Sequence, residues 1–234
     1  MRKNLFSLVL VAGAVCLGDV SAAEPMEQLD VEIDTRFVEA GRAALEAVGY
    51  FDTHRVDAAV LQERLMARQD AKLLESVRVI THSGENAVDK HVVEYIYPMD
   101  YTVRLSTNAV AATNAEAALS AVVEPKSFTM REVGPIVDVT PTLTDDGKLI
   151  DLSFKAQLVG EPEWKKYGAK AKREGAATCD LQMEQPLFPV RASVDTKISM
   201  RPGTTYVFGG SANRRKGDED KFVLVFVTPR LIEP

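Results

Sequence analysis

The clearest pattern in the chain is a strict alternation of apolar and polar residues in its second half. Residues 149–159 place one set of side chains on each side of a strand: Ile150, Leu152, Phe154, Ala156 and Leu158 against Asp151, Ser153, Lys155 and Gln157. Residues 190–201 alternate in the same way. A period of two predicts β-strands that bury one face and expose the other. The Asp-Asp-Gly-Lys turn at 145–148 predicts that residues 133–143 and 149–159 form a β-hairpin.

The amino-terminal half combines an alternating strand with helical segments. Residues 29–39 alternate between apolar and charged side chains and predict the first strand. A short helix is expected at residues 41–48. Residues 56–76 contain neither proline nor glycine and carry leucines at helical spacing, so they predict a second and longer helix.

Beyond residue 76 the period changes from helical to extended. The sequence predicts short strands at residues 77–81 and 91–97, joined by a turn at 83–86, and Pro98 is expected to end the second of them. Residues 109–123 lie in a weakly patterned stretch and are expected to form a loop with some helix.

The last part of the chain returns to strand patterns. Residues 160–185 are polar and are expected to form an exposed loop or insertion. The Pro-Gly pair at 202–203 predicts a turn, and residues 204–208 are expected to return from it. Residues 222–227 are apolar on both faces, which indicates either a doubly covered central strand or a strand with one lipid-facing side.

Together these patterns predict an α+β fold that is mostly β. Its parts are antiparallel amphipathic strands and hairpins, with one or two helices in the amino-terminal half. Residues 149–159 and 190–201 each match the roughly 9–11 residues that a tilted strand needs to cross a bilayer. A soluble sandwich holds strands of this length too, and length alone favours the sandwich.

The first 23 residues are typical of a secretory signal peptide. Arg2 and Lys3 give a positive start, residues 5–17 form an apolar run, and small residues at 21–23 offer a cleavage site before Glu24. We therefore expect an exported protein. Residues 24–234 are expected to form one domain, with a strand–helix–strand part at 30–100 and a β-hairpin part at 128–232.

Charge and cysteine content exclude several kinds of partner. The chain has 28 Lys and Arg against 34 Asp and Glu, and loss of residues 1–23 removes two positive charges and one negative charge. The resulting excess of negative charge argues against nucleic acid as a partner. Cys179 is then the only cysteine, so no internal disulfide and no cysteine cluster for a metal are expected. We expect no cofactor.

Six segments between residues 30 and 232 carry a recognisable series of motifs. They are VEIDTRFVE at 31–39, VITHSGENA at 79–87, VEYIYP at 93–98, REVG at 131–134 with VTP at 139–141, PLFPVR at 186–191 followed by Thr196, GTT at 203–205 and GG at 209–210, and FVTPRLI at 226–232. In this order they resemble the secretin domain. Secretins are the ring-forming outer-membrane channel subunits of type II and type III secretion and type IV pilus systems.

The resemblance implies ten motif positions: Glu39, Gly84, Gly134, Thr140, Pro141, Gly203, Gly209, Gly210, Thr228 and Pro229. It also implies a homo-oligomeric ring in the outer membrane that serves protein secretion and contacts other secretion or pilus components. The chain departs from the family in three places, the first of which is Val77, where the family has a proline. The link between Gly210 and Phe222 is short and charged where family members carry a Pro/Leu/Gly-rich segment, and the ring modules that usually precede the secretin domain are missing between Ala23 and the first strand.

A channel of this kind needs no chemistry, only strands that neighbouring copies complete and polar residues that face a lumen. The candidates for the lumen face are Asp151, Ser153, Lys155, Gln157, Arg191, Ser193, Asp195, Lys197 and Ser199; a solvated outer sheet face explains them equally well.

A second hypothesis is a periplasmic structural or binding protein on a secretin-like core that forms no pore.

An enzyme is the third hypothesis, and little in the sequence favours it. His82, His91 and Glu94 flank a turn and are interpreted as surface polar residues rather than metal ligands. The pair at 145–146 belongs to a turn, and Cys179 has no evident catalytic partner. We therefore expect no enzymatic activity.

Overall fold

The computed structural model describes residues 29–52, 56–108, 118–168, 170–172, 178–212 and 221–232. The predicted signal peptide and most of the link after Gly210 lie outside these residues. The described elements are β1 (Asp30–Gly41), α1 (Arg42–Ala47), α2 (Ala58–Met66), β2 (Ala71–His82), β3 (Ala87–Lys90), β4 (Val93–Asn108), β5 (Ala118–Leu143), β6 (Ile150–Val159), β7 (Glu163–Tyr167), β8 (Lys170–Ala171), β9 (Cys179–Asp180), β10 (Met183–Leu187), β11 (Val190–Met200), β12 (Tyr206–Ala212) and β13 (Lys221–Ile232).

Two antiparallel sheets pack face to face and enclose the main core. Sheet 1 has the strand order β12-β13-β1-β2, and sheet 2 has the order β11-β6-β5-β3. The apolar positions of β6 line this core, as their alternation predicted: Ile150, Leu152 and Phe154 are at most 1% exposed. Phe154 stacks on Phe208 of sheet 1, with ring centroids 5.9 Å apart. The mostly β, antiparallel α+β class is confirmed.

A second, smaller core lies on the other face of sheet 1, under the two helices. Leu45 of α1 and Leu61 and Leu65 of α2 pack there against Leu224 and Phe226 of β13. β13 is a central strand of sheet 1, between β12 and β1, and both its faces are buried. Of the two alternatives for this strand, the doubly covered one is therefore correct.

The predicted second helix is wrong in its later half. Helix α2 ends at Met66, and residues from Ala71 onward belong to β2, where they pair with the end of β1. Leu73 lies opposite Val38, for example. Hydrogen bonds of this ladder satisfy the backbone of residues 71–76, and such tertiary pairing outweighs the modest helix propensity of the segment.

The strand predicted at residues 91–97 is present, but its predicted end at Pro98 is wrong. β4 runs through Pro98 to Asn108 and pairs with β5 from Val133 back to Ala118. A proline fits an edge strand, since the N–H that it lacks can point away from the partner. Residues 118–123 are strand rather than loop or helix, and residues 109–117 lie outside the described part of the chain.

Residues 160–185 contain strands rather than a loop. β7 pairs with β10, with Glu163 opposite Leu187 at one end and Tyr167 opposite Met183 at the other. β8 pairs with β9 beyond them. The pair β7–β10 forms a sheet of its own, separate from sheet 2. Most side chains of these four strands are exposed.

Candidate functional site

The polar side chains of sheet 2 form rows across three strands on the face opposite the core. The register aligns Thr142 with Asp151 and Ser199, Thr140 with Ser153 and Lys197, and Asp138 with Lys155 and Asp195, while Gln157 lies opposite Ser193. Side chains of directly paired residues lie on the same face of a sheet. We call this set of eleven residues the polar face of sheet 2. It holds eight of the nine candidates for a lumen face, and their place in a lumen stays a prediction.

Contacts within this polar face join acidic, basic and hydroxyl side chains. Lys155 Nζ lies 4.0 Å from an Asp195 carboxylate oxygen, and the Ser199 hydroxyl donates to Asp151 over 2.5 Å. A shallow depression of about 460 Å³ lies over part of the face, between Thr140 and Lys197. The face offers polar side chains to solvent over a shallow, open surface.

Arg191, the ninth candidate, points elsewhere. It lies in a β-bulge of β11, where the register against β6 shifts between Val190 and Ala192. Its guanidinium forms an ion pair with Glu39 at the end of β1, and these two side chains are only 20% and 14% exposed. Its aliphatic stem packs over Gly160, because a Cβ on that glycine would lie 3.2 Å from Arg191 Cγ and Cδ. A bulge reorients one side chain out of the alternation, so Arg191 ties the two sheets together instead of lining the polar face.

Gly134 marks the point where β5 leaves sheet 2. Its φ is +129°, and a Cβ there would lie 2.2 Å from the carbonyl oxygen of His91. No side chain fits such a close backbone approach, so this motif position requires glycine. Residues 134–143 of β5 pair with β6, whereas residues on the other side of Gly134 pair with β4.

The two Thr-Pro motifs hold neighbouring turns in the same way. The carbonyl oxygen of Pro141 accepts a hydrogen bond from Gly84 N (2.6 Å), and that of Pro229 accepts one from Gly203 N (2.7 Å). In both cases the glycine belongs to a turn and the proline belongs to a strand of the sandwich. Each motif proline thus anchors a turn through its carbonyl group, which is the backbone group that proline retains.

The threonines and the last two glycines of the motifs complete these contacts. Thr140 Oγ1 accepts a hydrogen bond from Asn86, two residues after Gly84, and the hydroxyls of Thr228 and Thr205 lie 2.8 Å apart. Gly209 and Gly210 lie in β12, at a shift in its register with β13. The Gly209 carbonyl accepts a hydrogen bond from the Tyr50 hydroxyl, and burial raises the pKa of that hydroxyl.

A long two-stranded ribbon extends beyond Gly134 and was missed by the sequence analysis. We call β4 and residues 118–133 of β5 the first ribbon. The pairing puts one set of mainly apolar side chains on one side, the apolar face of the first ribbon. It consists of Val93, Tyr95, Tyr97, Met99, Tyr101, Val103 and Leu105 of β4, with Leu119, Ala121, Val123, Pro125, Thr129, Arg131 and Val133 of β5. Apolar residues recur at every second position of β4, which is the sequence signal for a strand, but a proline such as Pro98 is expected to end one.

The opposite face of the first ribbon is polar over its outer part. Arg104 forms an ion pair with Glu124 (3.1 Å), and the hydroxyls of Ser106 and Ser120 lie 2.6 Å apart. Nearer to Gly134 the same side exposes large apolar residues: Ile96 is 69% exposed, Phe128 61% and Met130 50%. Among the described residues, no strand is hydrogen-bonded to the outer edge of β4 or of residues 118–133.

β7 and β10, which we call the second ribbon, lie against the apolar face of the first ribbon. Phe188, directly after β10, contacts the rings of Tyr97 and Tyr95, with centroids 5.2 and 6.2 Å apart. The Tyr101 hydroxyl donates a hydrogen bond to the carbonyl oxygen of Glu184 in β10. Beyond the second ribbon, β9 lies beside β5.

The histidines and the cysteine form no metal centre in the described part of the chain. No group of three or more His, Cys, Asp or Glu residues there is arranged to hold a metal ion. His82 instead lies 2.5 Å from an Asp30 carboxylate oxygen, His91 lies 3.6 Å from Asp89, and Cys179 is a half-buried free thiol. No described helix has the length and apolar character needed to span a membrane.

Comparison with known proteins gives matches among solved structures. Neither a protein-family model nor a curated protein matches the chain. The matching structures include the type II secretin GspD from enteropathogenic Escherichia coli (TM-score 0.41, 11% identity, 89% of this chain and 71% of that one). Others are the type II secretion system secretin GspD of E. coli K12 (0.40, 12%, 88% and 51%) and the type IV competence pilus secretin PilQ of V. cholerae (0.39, 13%, 88% and 62%).

The solved structures named are secretins. The chain spans about half the length of some of them. At TM-scores near 0.4 and identities near 12%, the likeness says nothing about the activity of this chain.

Proposed function

We propose that this chain is a secretin-like subunit of a homo-oligomeric channel for protein secretion in the outer membrane. The observation that carries the proposal is the first ribbon. It has one apolar and one largely polar face, and in the described residues neither of its outer edges pairs with a further strand. A channel subunit of this kind acts without catalysis, so the proposal includes no enzymatic activity and no cofactor.

The unpaired edges favour assembly with further copies of the same chain. An isolated two-stranded ribbon is marginally stable in water, and a membrane admits strands only where every backbone group is paired. Ribbons from neighbouring subunits satisfy both requirements when they join edge to edge into a closed wall. Residues 99–108 alone reach the roughly 9–11 residues that a tilted strand needs to cross a bilayer.

The alternation along β5 is consistent with one polar side for the whole wall. Ser120 and Glu124 of the first ribbon and Asp138, Thr140 and Thr142 of sheet 2 share the same parity on this strand. We propose that this side, together with the polar face of sheet 2, is turned to the lumen. Passage then depends on pore width and on the polar side chains, and other secretion or pilus components are the expected partners.

Two neighbouring residues of β4 test the proposal. Leu105 lies on the apolar face of the first ribbon and Ser106 on the opposite face, and both are exposed. A charge on the lipid side of a barrel costs about 2–4 kcal/mol at the membrane midplane, less for Asp than for Arg or Lys, and little on the lumen side. Leu105→Asp is therefore expected to deplete rings from the outer-membrane fraction, whereas Ser106→Asp leaves them.

The measurement is negative-stain imaging of detergent-extracted membranes, with light scattering for the mass of the particles. The unsubstituted chain is expected to give large, detergent-resistant rings. A monomeric particle, or equal ring yields from both variants, contradicts the proposal.

The alternative is a periplasmic structural or binding protein that forms no pore. The closed core of the sandwich favours it, because Phe154 and its neighbours are buried by the chain's own residues without a second copy. Cell fractionation separates the two candidates. A channel subunit remains in the outer-membrane pellet, and the alternative predicts soluble periplasmic protein.

A further inference from the structure

The two faces of the first ribbon differ in how far the chain itself covers them. On the apolar face Leu119 is only 8% exposed and Tyr95 and Tyr97 are half-buried, whereas Val93 is 62% and Met99 60% exposed. On the opposite face Ile96 is 69% exposed and Val122 is 55% exposed. The partners that lie on the apolar face are the second ribbon, Phe188 and the neighbouring β9. The chain thus covers the part of this face around Tyr95, Tyr97 and Leu119 and leaves Val93 and Met99 exposed. The proposed function assigns this face to lipid.

The second ribbon is attached in a way that lets it move as a unit. It shares no ladder with sheet 2, to which only residues 160–162 and 188–189 connect it. The Tyr101 hydroxyl donates a hydrogen bond to the Glu184 carbonyl, and this polar contact joins it to the first ribbon. Phe188, directly after the second ribbon, adds ring contacts with Tyr95 and Tyr97.

We propose that the second ribbon is a removable cover over the apolar face of the first ribbon, closed in the free chain and displaced when that face meets lipid. This proposal rests on the proposed function. A ribbon that lies over the apolar face and a bilayer that contacts the same face exclude each other. The cover keeps an exported amphipathic ribbon from exposing a large apolar patch before it reaches the membrane.

A reversible cross-link tests whether the cover must open. In a Cys179→Ser background, Tyr101→Cys and Glu184→Cys are joined through thioether bonds by a short bis-maleimide reagent whose spacer contains a disulfide, so that reduction cuts the spacer. The cross-linked chain is expected to stay monomeric and to form no rings, and reduction is expected to restore them. The control joins Lys166→Cys to Glu184→Cys, which are directly paired within the second ribbon, and it is expected to assemble normally. Equal ring yields from the two cross-linked chains overturn the proposal.

Binding to lipid vesicles tests the cover independently of ring formation. Phe188→Ala removes the ring contacts that hold the cover, and the matched control Leu187→Ala changes a neighbouring side chain that is 52% exposed. Binding of the soluble chain to phosphatidylcholine vesicles is followed by co-flotation. Phe188→Ala is expected to bind roughly tenfold better than the control, the factor that corresponds to about 1.4 kcal/mol. Equal binding overturns the cover, whereas increased binding without any rings refutes only the proposed channel.

Discussion

The sandwich and the first ribbon have the same alternating sequence pattern but opposite surroundings. β5 belongs to both: before Gly134 it pairs only with β4, and after Gly134 it pairs with β6 on one side and β3 on the other. The apolar side of β6 faces sheet 1, and Phe154 there is fully buried. Met99, on the apolar face of the first ribbon, is 60% exposed. Alternation therefore creates strands with two unlike faces, while the presence of a facing sheet decides whether an apolar side chain becomes core.

The largest expected effect is a difference in the free energy of unfolding between two Phe→Ala variants, one in each region. Phe154→Ala opens a cavity in the closed core and is expected to lower the free energy of unfolding by about 3–5 kcal/mol. Phe128→Ala, in the ribbon, is expected to change it by less than about 0.5 kcal/mol, since an exposed ring loses little packing. Urea denaturation of the unassembled chain measures both. If the two variants lose similar free energy of unfolding, Phe128 is packed in solution and the two regions do not differ as expected.

The next effect concerns the junction between the regions. Gly134→Ala forces a side chain against the His91 carbonyl at a left-handed φ, so we expect a loss of at least about 2 kcal/mol. Gly147→Ala is the control, because its φ is +67° but no atom lies within 4 Å of the added Cβ. It is expected to cost about 1 kcal/mol. If the two variants unfold at the same urea concentration, the close approach at Gly134 is not maintained.

A smaller effect is expected where an ion pair closes one end of the sandwich. Glu39→Gln removes the charge that meets Arg191 in a partly buried contact, which is expected to cost about 1–2 kcal/mol. Glu46→Gln makes the same change in the exposed pair with Arg42 and is expected to cost less than about 0.5 kcal/mol. Equal unfolding midpoints in urea for the two variants argue against a role of Arg191 in joining the sheets.

The smallest effect concerns the turn between β5 and β6. Hydrogen bonds from the Thr144 hydroxyl and from Lys148 N lower the pKa of Asp146 below its usual value of 3.8. Because the folded-state pKa is the lower one, this contribution to stability is complete above pH 3.8 and is lost as the pH falls through the folded-state pKa. Asp146→Asn is expected to flatten the acid limb of a stability–pH curve slightly. Asp145→Asn, at a carboxylate that accepts neither bond, is the control, and an identical change there contradicts the assignment.

Local signals predicted the parts of the fold in which neighbours along the chain act on each other. The alternation at 149–159 located β6 and its buried face, and the turn at 145–148 joined it correctly to β5. The apolar run at 222–227 located β13. Burial of both faces was one of two alternatives for this strand, and it is the one observed.

The errors share one cause, which is that a distant partner changed the local preference. Residues 71–76 have a helical composition, but pairing with β1 makes them strand. A proline usually ends a strand, yet β4 continues past Pro98 because β5 provides a partner along its whole length. For the candidate site, eight of nine polar residues share a face as their spacing suggested, whereas the bulge turned Arg191 to Glu39, a contact that no spacing along β11 foretells.

The sequence alone determined which side chains of each strand share a face and where the main turns lie, because both depend on residues that are close along the chain. Tertiary structure alone decided which of those faces is buried, which ribbon edges stay unpaired and which apolar surface the second ribbon covers. These properties depend on contacts between segments far apart in sequence, and no local pattern contains the free energy of such contacts.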